Sequence, residues 1–182
     1  GELNGAIQFD GDGPSGENPS PRVAIPTSGM LASAGTVAFW ANLTNPAPDN
    51  DDNRSGFVYF FGLKGSGTND RVKLYVDSAA RMRIYMGSFA YTGTGGYQFS
   101  RTTWYHVAIT WNGSSYVVYV NGTALSPFSG DGTYTGFTAL PSTADIGNKG
   151  ESTWNQSMHG KMDEVKIYNR ALNASEIDTL AN

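Results

Sequence analysis

Residues 159–177 read HGKMDEVKIYNRALNASEI, and this stretch decides the fold because a strand pattern leads directly into a helix start. Met162, Val165 and Ile167 are apolar positions among charged ones, which is typical of a strand that buries one face. Asn173 followed by Glu176 has the spacing of a capping box at a helix N-terminus. Since the residues before Asn173 carry strand and turn patterns, the sequence predicts a β-rich chain that ends in a short helix.

The composition also favours strands. Aromatic residues make up 13% of the chain and charged residues only 15%, and there are 23 glycines. Aromatic residues are enriched in strands, and glycine is enriched in the turns between them. A length of 182 residues lies within the range of one sandwich or barrel, so the sequence predicts a single domain over residues 1–182.

Charge and hydropathy exclude several function classes. A net charge of −4 argues against a nucleic-acid partner, since such partners select clustered basic surfaces. The chain has no cysteine, which excludes a disulfide framework, a thiolate nucleophile and a thiolate metal site. No apolar run approaches the roughly 20 residues that a membrane-spanning helix needs, so we expect no membrane insertion.

Two hairpins are predicted in the middle of the chain. Residues 72–77 and 81–86 alternate in polarity around a short turn, and pairing Leu74 with Ile84 would place the apolar side chains on one face. The opposite face, which could stack on a flat polar ligand, would then collect Lys73, Tyr75, Arg83 and Tyr85.

The second hairpin joins residues 105–111 to residues 116–121. Its predicted turn is the four-residue segment 112–115, which would pair Ile109 with Val118. This register leaves His106 on the face opposite Ile109.

Five short motifs occur along the chain: FDG at 9–11, VAFW at 37–40, WYHVA at 104–108, YVNG at 119–122 and GKMDEVKIYNR at 160–170. With these motifs in this order, the whole chain resembles the laminin-G-like, concanavalin-A-like jelly-roll domains. The resemblance implies an all-β fold: a two-sheet antiparallel jelly-roll β-sandwich with a short C-terminal helix. It also implies a secreted, multi-modular protein that binds or processes polysaccharides. The fold hosts lectins, glycanases, lyases and adhesion modules, so it does not by itself name a ligand.

Catalytic motifs of similar domains are absent from the sequence. Glycanases of similar fold carry Glu-x-Asp-x-x-Glu on one strand, because retaining hydrolysis needs two carboxyls a short distance apart. The nearest match begins at Glu176 in the terminal helix and has Ala181 in place of the second Glu. Lyases of similar fold need a Tyr/His pair beside charge-neutralising side chains, and the candidates for these roles are His106, Tyr119, Arg83 and Tyr85. A histidine within a strand is more typical of packing at a sheet face, so we expect a non-enzymatic domain.

Calcium is the cofactor that the resemblance implies. In such domains the two ends of the chain pair, and this would bring Asp10 close to Asp163 as oxygen ligands of a calcium ion. A second acidic group lies within residues 49–53, but it lacks the glycine and glutamate of a calcium-binding loop, which favours a solvated loop.

Ligand recognition is predicted at loop aromatics with neighbouring polar groups, since sugars need a flat apolar surface and planar hydrogen-bonding groups. Trp154 is the main candidate because the polar loop 147–156 offers a large indole no obvious core, although Trp154 could instead fold over the sandwich edge. The full set of predicted ligand-binding residues is Trp154, Asn148, Glu151, Asn155, Tyr134, Asp131, Tyr85 and Arg83.

The sequence therefore favours a non-catalytic carbohydrate-binding module of a larger extracellular or cell-surface protein, with calcium and with a polysaccharide or other glycan as its partner. An adhesion module that binds a protein or a cell-surface receptor is the first alternative. A polysaccharide hydrolase or lyase domain is the second.

Overall fold

Twelve strands and one helix form the part of the chain that the computed structural model describes, namely residues 5–11, 21–44, 57–64, 71–87, 89–90, 96–125, 134–150 and 157–182. In chain order these elements are β1 (Ile7–Asp10), β2 (Val23–Pro26), β3 (Ala34–Leu43), β4 (Val58–Lys64), β5 (Arg71–Val76), β6 (Met82–Met86), β7 (Phe89–Ala90), β8 (Trp104–Asn112), β9 (Ser115–Val120), β10 (Thr123–Ala124), β11 (Thr143–Ile146), β12 (His159–Tyr168) and α1 (Ala174–Ala181).

The strands form two six-stranded sheets. The first sheet has the order β1-β12-β3-β8-β9-β10, and the second has the order β2-β11-β4-β5-β6-β7. All of the described strand pairs are antiparallel. The predicted fold class, an antiparallel two-sheet sandwich with a short C-terminal helix, is confirmed. Among the described residues, no helix is long and apolar enough to cross a membrane.

The hydrophobic core lies between the two sheets. Phe39, Ile109 and Met162 reach it from the first sheet, and Phe60 and Leu74 reach it from the second. The rings of Phe39 and Phe60 lie 5.7 Å apart, so the two sheets meet through large apolar side chains. Removing this apolar surface from water is the main force that holds the sheets together.

Both predicted hairpin registers are confirmed. Leu74 pairs with Ile84 in the β5–β6 hairpin, and Ile109 pairs with Val118 in the β8–β9 hairpin. The turn of the second hairpin is shorter than predicted, because Asn112 already pairs with Ser115. The register survives this difference, since a hairpin that gains one pair at its turn keeps all the earlier pairs.

Strand β12 contains a β-bulge between Asp163 and Lys166, where its pairing with β3 shifts by one residue. Glu164 adopts a positive φ of 52° there, and its backbone N–H donates to the Asp163 carboxylate over 2.8 Å. The bulge explains an irregular spacing in the sequence, since Met162 and Val165 are three residues apart and yet both pack on the core.

Helix α1 begins at the predicted capping box. The Asn173 side chain accepts from the Glu176 N–H over 3.0 Å, and the Glu176 carboxylate accepts from the Asn173 N–H over 2.9 Å. Ile177 is fully buried against Ala38 and Ala108 on the outer face of the first sheet. The helix therefore covers the outer side of this sheet with an apolar contact.

The Thr36 hydroxyl connects the first sheet to the segment that leads into α1. This fully buried group donates to the Arg170 carbonyl over 2.8 Å and accepts from the Leu172 N–H over 2.9 Å. One side chain on β3 thus satisfies two backbone groups that would otherwise be buried without a partner.

Replacing this hydroxyl should destabilise the fold. We expect Thr36→Val to lower the free energy of unfolding by about 1–3 kcal/mol, because it leaves two backbone groups without their partner. Thr143→Val on the exposed part of β11 is the matched control and should change stability by less than about 0.5 kcal/mol. Urea denaturation measures both, and equal small effects would show that the Thr36 bridge does not contribute to stability.

Candidate functional site

The outer face of the second sheet carries an unusual number of buried polar side chains. We call it the polar face, formed by Tyr59, Lys73, Tyr75, Asp77, Arg83, Tyr85 and Asp145. The side chains of Lys73, Asp77, Arg83 and Asp145 are charged types, yet each of these residues is only 5% to 6% exposed. Burying a charge is costly unless it is paired, so apolar residues would cover a purely structural face more favourably. The predicted clustering of Lys73, Tyr75, Arg83 and Tyr85 on one face is confirmed by the β5–β6 register.

Asp77 organises one end of the polar face. Its carboxylate accepts from Arg83 Nε over 2.7 Å and from Arg81 Nε over 3.1 Å. It also accepts from the backbone N–H groups of Ala79 and Arg81 over 2.9 and 3.0 Å. Burial by itself would raise the pKa of Asp77, but the hydrogen bonds from Arg81, Arg83 and Ala79 outweigh it and lower the pKa. The result is a fixed carboxylate that holds two guanidinium groups in place.

Three tyrosines form a stacked row across the polar face. The rings of Tyr59 and Tyr75 lie 4.7 Å apart at 17°, and those of Tyr75 and Tyr85 lie 5.7 Å apart at 15°. The Arg71 guanidinium carbon lies 4.4 Å from the centre of the Tyr85 ring, at the end of the row. Burial, followed by the neighbouring Tyr85, raises the pKa of Tyr75. The Tyr75 hydroxyl therefore stays protonated and can act as a hydrogen-bond donor.

The loop after β11 is pressed onto the polar face at Gly62. A Cβ at Gly62 would lie 1.9 Å from the Lys149 carbonyl carbon and 2.3 Å from the Gly150 nitrogen, so only glycine allows this approach. Gly62 pairs with Lys73 on the neighbouring strand. The loop that begins near Asn148 thus contacts β4, and β4 pairs with the β5–β6 hairpin that carries Arg83 and Tyr85.

Asn148 is itself buried at the start of this loop. Its side-chain oxygen accepts from the Lys149 N–H over 2.7 Å. This bond holds the loop backbone in the conformation that contacts Gly62. The predicted residues Trp154, Glu151, Asn155 and Asp131, together with the acidic segment 49–53, lie outside the described residues, so their roles stay predictions.

Tyr134 is placed differently from its prediction. Its ring is buried in the core against Tyr116 and Phe137, at 5.6 and 5.3 Å, and burial raises its pKa to about 12. The prediction that Tyr134 is a loop aromatic open to ligand is therefore wrong, because the ring packs against Tyr116 of β9 and against Phe137. Its hydroxyl is buried with no hydrogen-bond partner among the described residues.

The two predicted calcium ligands are not brought together. Strands β1 and β12 pair as expected, but Asp10 lies opposite His159 rather than near Asp163. Asp163 lies four positions along β12 from His159, a backbone distance of about 13 Å, whereas ligands of one calcium ion each lie about 2.4 Å from it. The prediction of one ion held by this pair is therefore wrong. The described residues also contain no cluster of three or more histidine, aspartate or glutamate side chains that could hold a metal ion.

His106 lies on the outer face of the first sheet. It is 2% exposed, its ring is 5.5 Å from Trp40, and its Nδ1 atom has no hydrogen-bond partner among the described residues. Burial, followed by the nearby charge of Lys166, lowers the pKa of His106 to about 4. Its neutral form is thus the one that the fold accommodates.

The four residues considered for lyase chemistry do not form one site. His106 and Tyr119 face outward from the first sheet, whereas Arg83 and Tyr85 face outward from the second. Because packed sheets lie about 10 Å apart, the whole core separates the two pairs.

A cleft of about 400 Å³ lies elsewhere, between the β2–β3 turn and the end of β12. Pro26, Met30, Ile167 and Tyr168 are among the residues that line it, and none of its lining residues is charged. The polar face, with its fixed charges and tyrosines, is the stronger candidate for a binding site.

Comparisons with known proteins agree with this architecture. A family model described as the concanavalin A-like lectin/glucanases superfamily matches residues 16–178. No curated protein matches the sequence. Among solved structures, Trypanosoma rangeli sialidase in complex with sialic acid is 24% identical with a TM-score of 0.68, over 97% of this chain and 27% of that one. The chain thus spans about a quarter of the length of that sialidase.

Two further structures cover more of their own chains. Domain 4 of AbnA, an extracellular arabinanase from Geobacillus stearothermophilus, in complex with arabinotriose, is 22% identical over 88% of this chain and 72% of that one, with a TM-score of 0.64. A pentraxin from Limulus polyphemus is 17% identical over 97% of this chain and 84% of the pentraxin chain, with a TM-score of 0.62. At these identities the likeness shows the fold.

Removing the Asp77 charge should destabilise the domain. We expect Asp77→Asn to lower the free energy of unfolding by about 3 kcal/mol, because the buried Arg83 then loses its anionic partner. Since folding lowers the pKa of Asp77, the wild-type advantage is present above its ordinary pKa of 3.8 and is lost as the pH falls below it. Urea denaturation between pH 7 and pH 3 measures this.

The control for Asp77 is Glu164→Gln, which breaks the exposed ion pair with Lys166. Exposed pairs contribute little, so this variant should unfold like the wild type. If Asp77→Asn is as stable as Glu164→Gln at pH 7, the Asp77 carboxylate does not organise the polar face.

His106 should remain uncharged well below neutral pH. Its folded pKa of about 4 lies below the ordinary value of 6.5, so its contribution to stability is present above pH 6.5 and is lost as the pH falls toward 4. NMR titration checks this directly, since the chain has only two histidines and their signals can be followed separately. A His106 titration midpoint near 6.5 would contradict the buried, neutral state.

Proposed function

The chain belongs to the concanavalin A-like lectin/glucanases superfamily, and from that premise we propose that it is a non-catalytic carbohydrate-binding module whose site is the polar face. The observation that carries the proposal is the set of buried, charged side chains on this one face. A module whose only role is spacing has no need to bury Lys73, Asp77 and Arg83 together.

The buried interior of the polar face orients groups at its margin. Arg81 is partly exposed and is held by Asp77, while Tyr85 is half-buried at the end of the tyrosine row. A guanidinium group held in one orientation loses little entropy when it binds, and it donates strongly to hydroxyl oxygens. These margin groups can therefore recognise the hydroxyl pattern of a sugar.

Similar structures support a glycan as the ligand class. The sialidase structure contains sialic acid, and the arabinanase domain contains arabinotriose. The arabinanase is extracellular, and we extend an extracellular or cell-surface location to this chain as part of the proposal. Because the chain spans about a quarter of the sialidase, it is proposed as one module of a larger protein.

Calcium stays a prediction that rests on the family resemblance alone. Asp10 and Asp163 do not fit one shared ion, so we assign no ligands to it. Two alternatives are kept. The first is adhesion to a cell-surface protein, and the second is hydrolysis or cleavage of a polysaccharide. The electrophoresis and product-release experiment below separates both from the proposal.

Affinity electrophoresis tests the proposed function. The protein is run through gels that contain arabinan, xylan or sialylated mucin, with calcium and with EDTA. We expect at least one polysaccharide to retard it, and we expect no release of sugar products in a parallel reducing-end assay. Retardation only in calcium would support the predicted ion.

Arg81→Gln should weaken this retardation, because it removes the oriented guanidinium. Arg101→Gln is the matched control, since Arg101 is an exposed arginine that precedes β8 of the other sheet. Migration that no gel alters would contradict glycan binding. Release of products by the wild-type protein would contradict the non-catalytic role.

A further inference from the structure

The ring faces of Tyr75 and Tyr85 are not available to a sugar, and Tyr59 is only 5% exposed. Tyr75 lies between Tyr59 and Tyr85, and Tyr85 lies between Tyr75 and the Arg71 guanidinium. Ring faces that cover one another leave only their edges and hydroxyls for a ligand. A sugar that stacks at the polar face therefore needs another aromatic ring.

Phe57 is such a ring. It directly precedes β4, and its ring lies 5.6 Å from Tyr75 at 82°, so it is turned out of the stacking direction of the row. It is 38% exposed, and it is the one aromatic residue among the exposed large hydrophobic side chains of the described residues. Phenylalanine gains about 1.5–3 kcal/mol from full burial, so a sugar that covers the exposed part of this ring would gain binding energy there.

The register places Phe57 and the oriented Arg81 on opposite sides of Asp77. Val58 pairs with Val76, so the residues that flank this pair are Phe57 on one strand and Asp77 on the other. Asp77 in turn fixes the guanidinium of partly exposed Arg81. The margin of the polar face thus combines an apolar ring with a planar donor, the two groups that sugar recognition requires.

We propose that Phe57 is the stacking residue of the glycan site, with Arg81 donating to hydroxyl groups of the same sugar. The ligand class is then a glycan with at least one sugar ring whose C–H face is unsubstituted and lies on Phe57. The inference rests on the proposed function, and it names Phe57 as the residue that selects for a sugar ring with an unsubstituted C–H face.

Three variants test the inference in the same affinity gels of arabinan, xylan and sialylated mucin. We expect Phe57→Ala to weaken binding about tenfold, which corresponds to the roughly 1.4 kcal/mol that an aromatic contact supplies. Phe57→Trp should retain or improve binding, because it keeps a flat apolar ring. Leu31→Ala is the control, since Leu31 is equally an exposed apolar residue but lies in the β2–β3 connection.

Thermal unfolding of each variant shows whether its fold is intact. Folded Phe57→Ala that binds like the wild type would overturn the inference while the proposed function stands. Loss of binding in folded Phe57→Trp would overturn the stacking role, since the ring is preserved. A wild-type protein that no gel retards would contradict the proposed function, and this inference with it.

Discussion

A one-residue bulge in β12 is the constraint on which the rest of the sandwich depends. Strand β12 lies between β1 and β3, so its register decides which side chains face the core along three strands. Without the bulge between Asp163 and Lys166, the period of two would point either Met162 or Val165 away from the core. With it, both stay inside, and the strand ends where the buried Thr36 hydroxyl can hold the segment that leads into α1.

The two outer faces of the sandwich are covered by different means. The first sheet is covered by α1, whose Ile177 makes an apolar contact that any well-packed fold could use. The second sheet instead buries Lys73, Asp77 and Arg83 beside stacked tyrosines, an arrangement that costs desolvation energy and must be held by good geometry. This asymmetry is the reason we propose a binding site on the second sheet and not on the first.

Local patterns predicted the features that depend on neighbouring residues. The β5–β6 and β8–β9 registers and the Asn173 capping box followed from alternation and spacing alone. Features that depend on distant residues did not follow. The burial of Tyr134 depends on Tyr116 of β9, which is distant in sequence, and the distance between Asp10 and Asp163 depends on the β1–β12 register. The exposure of Phe57 was not predicted either, because it depends on where β4 begins, and that strand begins only at Val58.

The contact between Gly62 and Gly150 has a consequence for engineering this scaffold. Each glycine lies where a side chain on the other would collide with backbone, so the two positions form a fixed anchor for the loop that Asn148 begins. A library that randomises the loop after Gly150 to obtain new ligand specificities can therefore keep its attachment point constant. The anchor belongs to the scaffold, since it is set by backbone contacts that no side chain at either position can enter.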